Sequence, residues 1–207
     1  MKKIASALAC MLAFSFSVQA ANFKEGKDYE TLSSGVAFNA PNQIVKVYST
    51  NCPFCYKYEQ AVIPDLVENL PEGASYDAYH ITTKPPLGIE KACSLAVAKV
   101  MSEDLYHKLK TDLYARYHDQ HKKFANPEEV YAHSAKILGI SVAQLHDSAA
   151  TPEVKALMAK WDQGVEIAKI QGIPALVVNG KYLIHTKAIK SQEMLSDLVA
   201  ELLHKQG

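Results

Sequence analysis

Hydrophobic and polar positions change their period several times along the chain, and each change predicts an element. Gln43–Ser49, QIVKVYS, is dense in β-branched and aromatic residues and predicts a buried strand. Ser75–Thr82, SYDAYHIT, predicts another, and Tyr29–Leu32 a short edge strand. Pro53 stands where a helix is expected to begin, because a first-turn proline loses no hydrogen bond. The helical pattern continues through YKYEQAVIPDLVENL, with a kink or break expected at Pro64, and ends at PEG, 71–73. From about 86 to 171 the period is helical. Ser102-Glu103-Asp104, Asn126-Pro127-Glu128 and Thr151-Pro152-Glu153 mark helix starts inside that block, each a capping side chain followed by acids. Pro174 ends it. ALVV-NG-KYLI, 175–184, predicts a hairpin closed by a two-residue Asn-Gly turn. Ser191 then caps a last amphipathic helix with Met194, Leu195, Leu198, Val199 and Leu202 on its apolar face.

The order is strand, strand, helix, strand, helical block, hairpin, helix. Without the block a compact α/β unit with a mixed sheet remains. The expected division is 21–85 with 172–207 for that unit, and 86–171 for an all-helical insertion.

The first residues change the picture of where this unit works. Lys2 and Lys3 precede an apolar stretch, IASALACMLAFSFSV, and Val18-Gln19-Ala20 supplies the small residues that a signal peptidase reads. Cleavage is expected after Ala20, with export to an oxidising compartment, the bacterial periplasm. The stretch is shorter than the ~20 apolar residues of a membrane span. Losing Lys2 and Lys3 leaves 20 basic against 22 acidic residues, a charge of about −2. That argues against a nucleic-acid partner, which would call for a strongly basic chain. The remaining 187 residues are enough for one domain with an insertion and a core that does not depend on disulfides.

Cys10 leaves with the signal peptide, so Cys52, Cys55 and Cys93 remain, an odd number that argues against a disulfide scaffold. Cys93 aligns at helical spacing with Ile89, Ala96, Val97 and Val100 and is expected to be a buried core thiol. Cys52 and Cys55, in YSTNCPFCYKY, are consistent with three chemistries: a metal site, a structural disulfide, or a redox pair. A metal would need further ligands. His118 and His121 share a helix face, but they lie more than sixty residues beyond Cys55, so no metal is assigned. A structural bridge between residues three apart closes a very small loop and removes little chain entropy. For a redox pair the placement is favourable. At a helix N-terminus Cys52 meets free backbone N–H groups and the positive end of the helix dipole, which stabilise a thiolate. Cys55, one turn on, is shielded.

CPFCYKYE at 52–59, AKIQGIPALVVNGKYLIHTKAIKS at 168–191 and Lys46 in IVKVYS resemble the DsbA family of thioredoxin-fold oxidases, and most of all its DsbL branch. The resemblance runs from about Phe23 to Lys205. It implies a thioredoxin fold carrying the helical insertion, and a protein-dithiol oxidase that needs no cofactor beyond a Cys52–Cys55 disulfide. It makes Cys52 the exposed nucleophile, Cys55 the resolving thiol, and Pro53 and Phe54 the dipeptide that tunes them. Pro174 matches the family's cis-proline facing the pair, and Ile173 precedes it; both would meet substrate. The implied partners are cysteine-containing exported proteins and a quinone-linked membrane reoxidase of the DsbB or DsbI kind; in the DsbL branch the substrate is an arylsulfate sulfotransferase. The implied state is a monomer. Lys46 and Ala78 stand where DsbA carries a buried acid and its basic partner. Lys46 is expected either to point inward and lower the thiolate pKa, or to snorkel to solvent. Positive charge gathers at Lys181, His185, Lys187 and Lys190. The residues leave two other tasks open: disulfide reduction or isomerisation, and peptide binding without catalysis.

Overall fold

The structure, a computed structural model, describes residues 23–205. The expected signal peptide and its cleavage point lie outside them. Five strands, β1 (Tyr29–Thr31), β2 (Gln43–Tyr48), β3 (Ser75–His80), β4 (Ala175–Val178) and β5 (Tyr182–Ile184), form one sheet in the order β1-β5-β4-β2-β3. β2 and β3 run parallel, and the other pairs are antiparallel. β1 lies at the edge, as its short apolar run suggested.

Helices α1 (Pro53–Ala61) and α2 (Ile63–Glu68) follow β2. They are separate helices that meet at Val62, because Pro64 cannot donate within a continuous helix and instead occupies the first turn of α2. Between β3 and β4 come α3 (Gly88–Met101), α4 (Glu103–His118), α5 (Pro127–Leu138), α6 (Val142–Ala149) and α7 (Pro152–Gln171). Ser102, Asn126 and Thr151 each accept a first-turn backbone N–H, as their sequence signatures predict. The start of α6 was not anticipated; Ser141 and Gln144 close a reciprocal capping box there. α8 (Gln192–His204) ends the chain behind its Ser191 cap and buries Leu195, Leu198, Val199 and Leu202, with Met194 at the margin.

The sheet's alternation distributes the core. Ile44, Leu176, Val178 and Ile184 face α2 and α8, while Val45, Val47, Tyr79 and Val177 join one cluster with the helical block. α7 approaches the sheet so closely that a Cβ at Gly164 would stand 3.0 Å from Val47 Cγ1. The insertion therefore shares its core with the sheet.

Two expectations are corrected. The hairpin connection has three residues, since Val178 pairs with Tyr182. Asn179 and Gly180 do make the left-handed turn, but Lys181 is an extra residue whose carbonyl accepts from Leu32 N–H. A Cβ at Gly180 would collide with the Phe38 carbonyl, so glycine is required there on steric grounds as well. Cys93 is half-buried and is not a core thiol. The helical line through it ends on Ile89 and Val100, which are 59% and 46% exposed, whereas the buried face of α3 is centred on Ala92, Leu95 and Ala96.

Candidate active site

β2 delivers the chain to Cys52 at its C-terminal end, and α1 starts at the next residue. Cys52 has extended backbone angles (φ −97°, ψ 117°) and caps α1 with its sulfur, which accepts the Cys55 backbone N–H at 3.3 Å. Both cysteines are in the dithiol form. The Cys52 thiol is held down to a pKa of about 6. The hydrogen bond from the Cys55 side chain contributes most, then the backbone N–H groups of Cys55 and Phe54 and the Lys84 ammonium, together outweighing burial. Cys55 is fully enclosed; burial first, and then the bond and charge of Cys52, push its thiol far up. One sulfur of the pair thus takes the negative charge and the other keeps its proton.

Cys52 was expected to be exposed, and the structure corrects this: it is 4% exposed. It lies on the floor of a groove of about 690 Å³ whose walls include Phe54, Ile81, Thr83, Lys84 and Ile173. Its thiol reaches the Ile173 carbonyl at 3.5 Å, and the Ile173–Pro174 peptide bond is cis. Pro53 and Ile173 line this groove, while Pro174 is buried behind it. Phe54, 64% exposed, forms the lip.

Lys46 is fully buried, which excludes the snorkelling alternative. Its ammonium donates to the Cys55 carbonyl at 3.1 Å and to Glu59 at 2.6 Å. Glu59 also pairs with Lys110 of α4. Burial lowers the Lys46 pKa, with Glu59 opposing. Burial alone would raise that of Glu59, but the two ammoniums hold it below its usual range. Lys46 therefore lies behind Cys55, largely neutralised by Glu59. Glu59 and Lys110 escaped the sequence reading, although a pattern was present. Cys55 and Glu59 are four apart on α1, and Tyr106, Lys110 and Tyr114 four apart on α4, so two polar-bearing stripes face each other. Ala78 is the sheet partner of Lys46 and leaves room for this group.

The residues just before Cys52 are gripped from outside. Thr50 N–H donates to His80 Nε2 at 3.0 Å, and the Thr50 carbonyl accepts from His118 Nε2 at 3.0 Å. His80 is buried and neutral, its pKa pushed down to about 3 by burial and then by the Lys91 charge. His118 stacks on Tyr56, which stacks on Tyr114. Among the described residues no group of three His, Cys, Asp or Glu side chains is placed to hold a metal. Of the positive run after Pro174, His185 and Lys187 line a second groove together with Lys27 and Lys169. Lys181 lies apart from it, near Asn179 and Lys205.

A thioredoxin-like sheet, a cysteine pair opening the helix after a parallel strand and the Ile173 carbonyl against the first sulfur define a thiol:disulfide oxidoreductase. Residues 88–200 match the model of the DSBA-like thioredoxin domain. The chain belongs to this DsbA family. It is 35% identical to the thiol:disulfide interchange protein DsbL of Escherichia coli O6:H1, with 96% of this chain and 94% of that protein covered. Against DsbA of Pectobacterium carotovorum the identity is 32%, covering 94% and 91% of the two chains. The crystal structure of DsbL from Salmonella enterica serovar Typhimurium superposes with a TM-score of 0.83 at 34% identity, over 90% of this chain and all of that one.

Proposed function

We propose that the chain is a periplasmic protein-disulfide oxidase. Its Cys52–Cys55 disulfide is attacked at Cys52 by the thiolate of an exported substrate, giving a mixed disulfide and releasing Cys55, which takes up a proton. A second substrate thiolate then attacks the mixed disulfide at the substrate sulfur. The substrate leaves oxidised, and both electrons remain on the enzyme as the Cys52 thiolate and the Cys55 thiol.

The observation that carries this reading is the Cys55 N–H on the Cys52 sulfur at 3.3 Å, together with the thiol pKa of about 6. Stabilising the thiolate stabilises the reduced enzyme, so the disulfide becomes a stronger oxidant. Each pKa unit is worth about 1.4 kcal/mol, roughly 30 mV for a two-electron couple. In this reading Pro53 and Phe54 shape the helix start, Ile173 and Pro174 form the substrate side of the groove, and Lys46 acts on Cys55. A quinone-linked membrane protein of the DsbB or DsbI kind recharges the enzyme. The similarity to DsbL supports an arylsulfate sulfotransferase as a dedicated substrate, and the apolar N-terminal stretch supports export.

The reduction potential, measured against glutathione across pH, tests the proposal. The expected value is well above the approximately −270 mV of thioredoxin. Its slope is expected to change from about 59 mV per pH unit below pH 6 to about 30 mV above, where the reduced pair binds one proton fewer. A thioredoxin-like potential would make the protein a reductase.

A further inference from the structure

Lys91 of α3 is 2% exposed, yet among the described residues no carboxylate is bonded to it. Its ammonium donates to Asn51 Oδ1 and to the Pro86 carbonyl at 3.4 Å, and it lies 5.1 Å from the centre of the Tyr117 ring and 5.7 Å from that of Phe124. The other half of the connection comes from Asn51, whose amide nitrogen donates to the Lys84 carbonyl at 3.1 Å and to the Pro86 carbonyl at 2.8 Å. All four bonds end on two pieces of chain. One is Asn51, immediately before Cys52; the other is segment 84–86, whose Lys84 forms part of the groove over Cys52.

Burying an ammonium to which no carboxylate is bonded is unfavourable. A core role would be met by an apolar side chain, and a surface role would leave the charge in water. Carbonyl acceptors and aromatic faces make a charge tolerable, and here every acceptor belongs to the two segments being joined. Burial, and then the neighbouring Arg116 charge, with Glu90 opposing, bring the Lys91 pKa down only to about 8, so it remains mostly protonated at neutral pH.

We propose that Lys91 is a positioning residue of the substrate groove: through Asn51 it ties segment 84–86 to the residue preceding Cys52, so that the groove wall and the sulfur keep one spacing. The inference rests on the groove being the substrate site. It assigns Lys91 to peptide binding and leaves the thiolate itself to the helix N-terminus.

Lys91→Met is tested in steady-state oxidation of an unstructured two-cysteine peptide, alongside titration of the Cys52 thiolate by ultraviolet absorbance. The expected result is a rise in KM of about fivefold, with kcat at saturating peptide changing less than about twofold and the titration midpoint near that of the wild type. Asn51→Ala removes the other half of the tie and should give a similar KM. The double variant should rise no further than Asn51→Ala alone, because the tie to segment 84–86 runs through Asn51. If Lys91→Met does not fold, Asn51→Ala carries the test. An unchanged KM in a folded variant overturns the proposal, even where thermal stability falls. So does a shift of the Cys52 midpoint that accounts for the whole loss of rate. Failure of the oxidase reading would look different: the wild type itself would not oxidise the peptide.

Discussion

The two sides of the α1 N-terminus solve opposite electrostatic problems. On the groove side a single sulfur must accept negative charge, and it is met by the Cys55 thiol and by the backbone N–H groups of Cys55 and Phe54. On the inner side, behind Cys55, two ammoniums and one carboxylate are packed together. The difference shows why the N-terminus of α1 outweighs the buried charges at Cys52. A backbone N–H has no counter-ion, so its whole dipole acts on the sulfur. The field of Lys46 is offset in part by Glu59 at 2.6 Å, and it is felt at Cys55 before Cys52. Of the two alternatives for Lys46, one has it point inward and press on the Cys52 thiolate. Its depth agrees with that expectation and its partner does not.

The largest perturbation of this comparison is Glu59→Gln. It keeps the shape and leaves the ammoniums of Lys46 and Lys110 without a carboxylate. Breaking a buried pair from one side costs about 3 kcal/mol or more, and chemical denaturation of the reduced protein should show a loss of that order. An unchanged midpoint would mean that the inner charges are solvated.

Next in size is His80→Leu, which removes the acceptor of Thr50 N–H on the groove side. A buried donor left unpaired costs about 1–3 kcal/mol, seen as reduced stability at neutral pH. The acid limb should change as well. The folded pKa of His80, about 3, lies below that of an unfolded histidine. Between these values the unfolded chain binds the extra proton, so wild-type stability falls as pH drops through that window. The variant should lose this part of the slope. Equal slopes in the two proteins would show that His80 is not held neutral.

The smallest expected effect is the sharpest test. Lys46→Met leaves Glu59 paired with Lys110 and should move the Cys52 thiolate titration by only a few tenths of a pH unit, within the range of a screened charge at a distance. A rise of a full unit would show that Lys46 acts directly on the Cys52 thiolate.

Local chemistry was enough to read much of this molecule in advance. The capping residues Ser102, Asn126, Thr151 and Ser191 and the first-turn proline of α1 act through neighbours three or four residues away, so their effect is written where they stand. The same holds for the alternation of β2 and for the cysteine pair at the helix start, which is why its placement favoured a thiolate at Cys52. Segment-level pattern had less to say about Cys93, whose helix offers apolar residues on more than one face, and about the three-residue hairpin, whose register depends on what Leu32 and Phe38 bond to.

The contacts that only the folded chain reveals join residues far apart in sequence: Glu59 with Lys46 and Lys110, Thr50 between His80 and His118, Asn51 with Lys91 and segment 84–86. A period can put Glu59 or Lys110 on a helix stripe, but it does not say which stripe meets which, because the sheet and the helical block bring them together only after both have packed. Sequence by itself determined which sulfur stands at the helix start, since a helix terminus acts over one turn. Tertiary structure decided how deep that atom lies, which charges cancel around it and what forms the groove above it, since these depend on distances between elements that the chain does not encode locally.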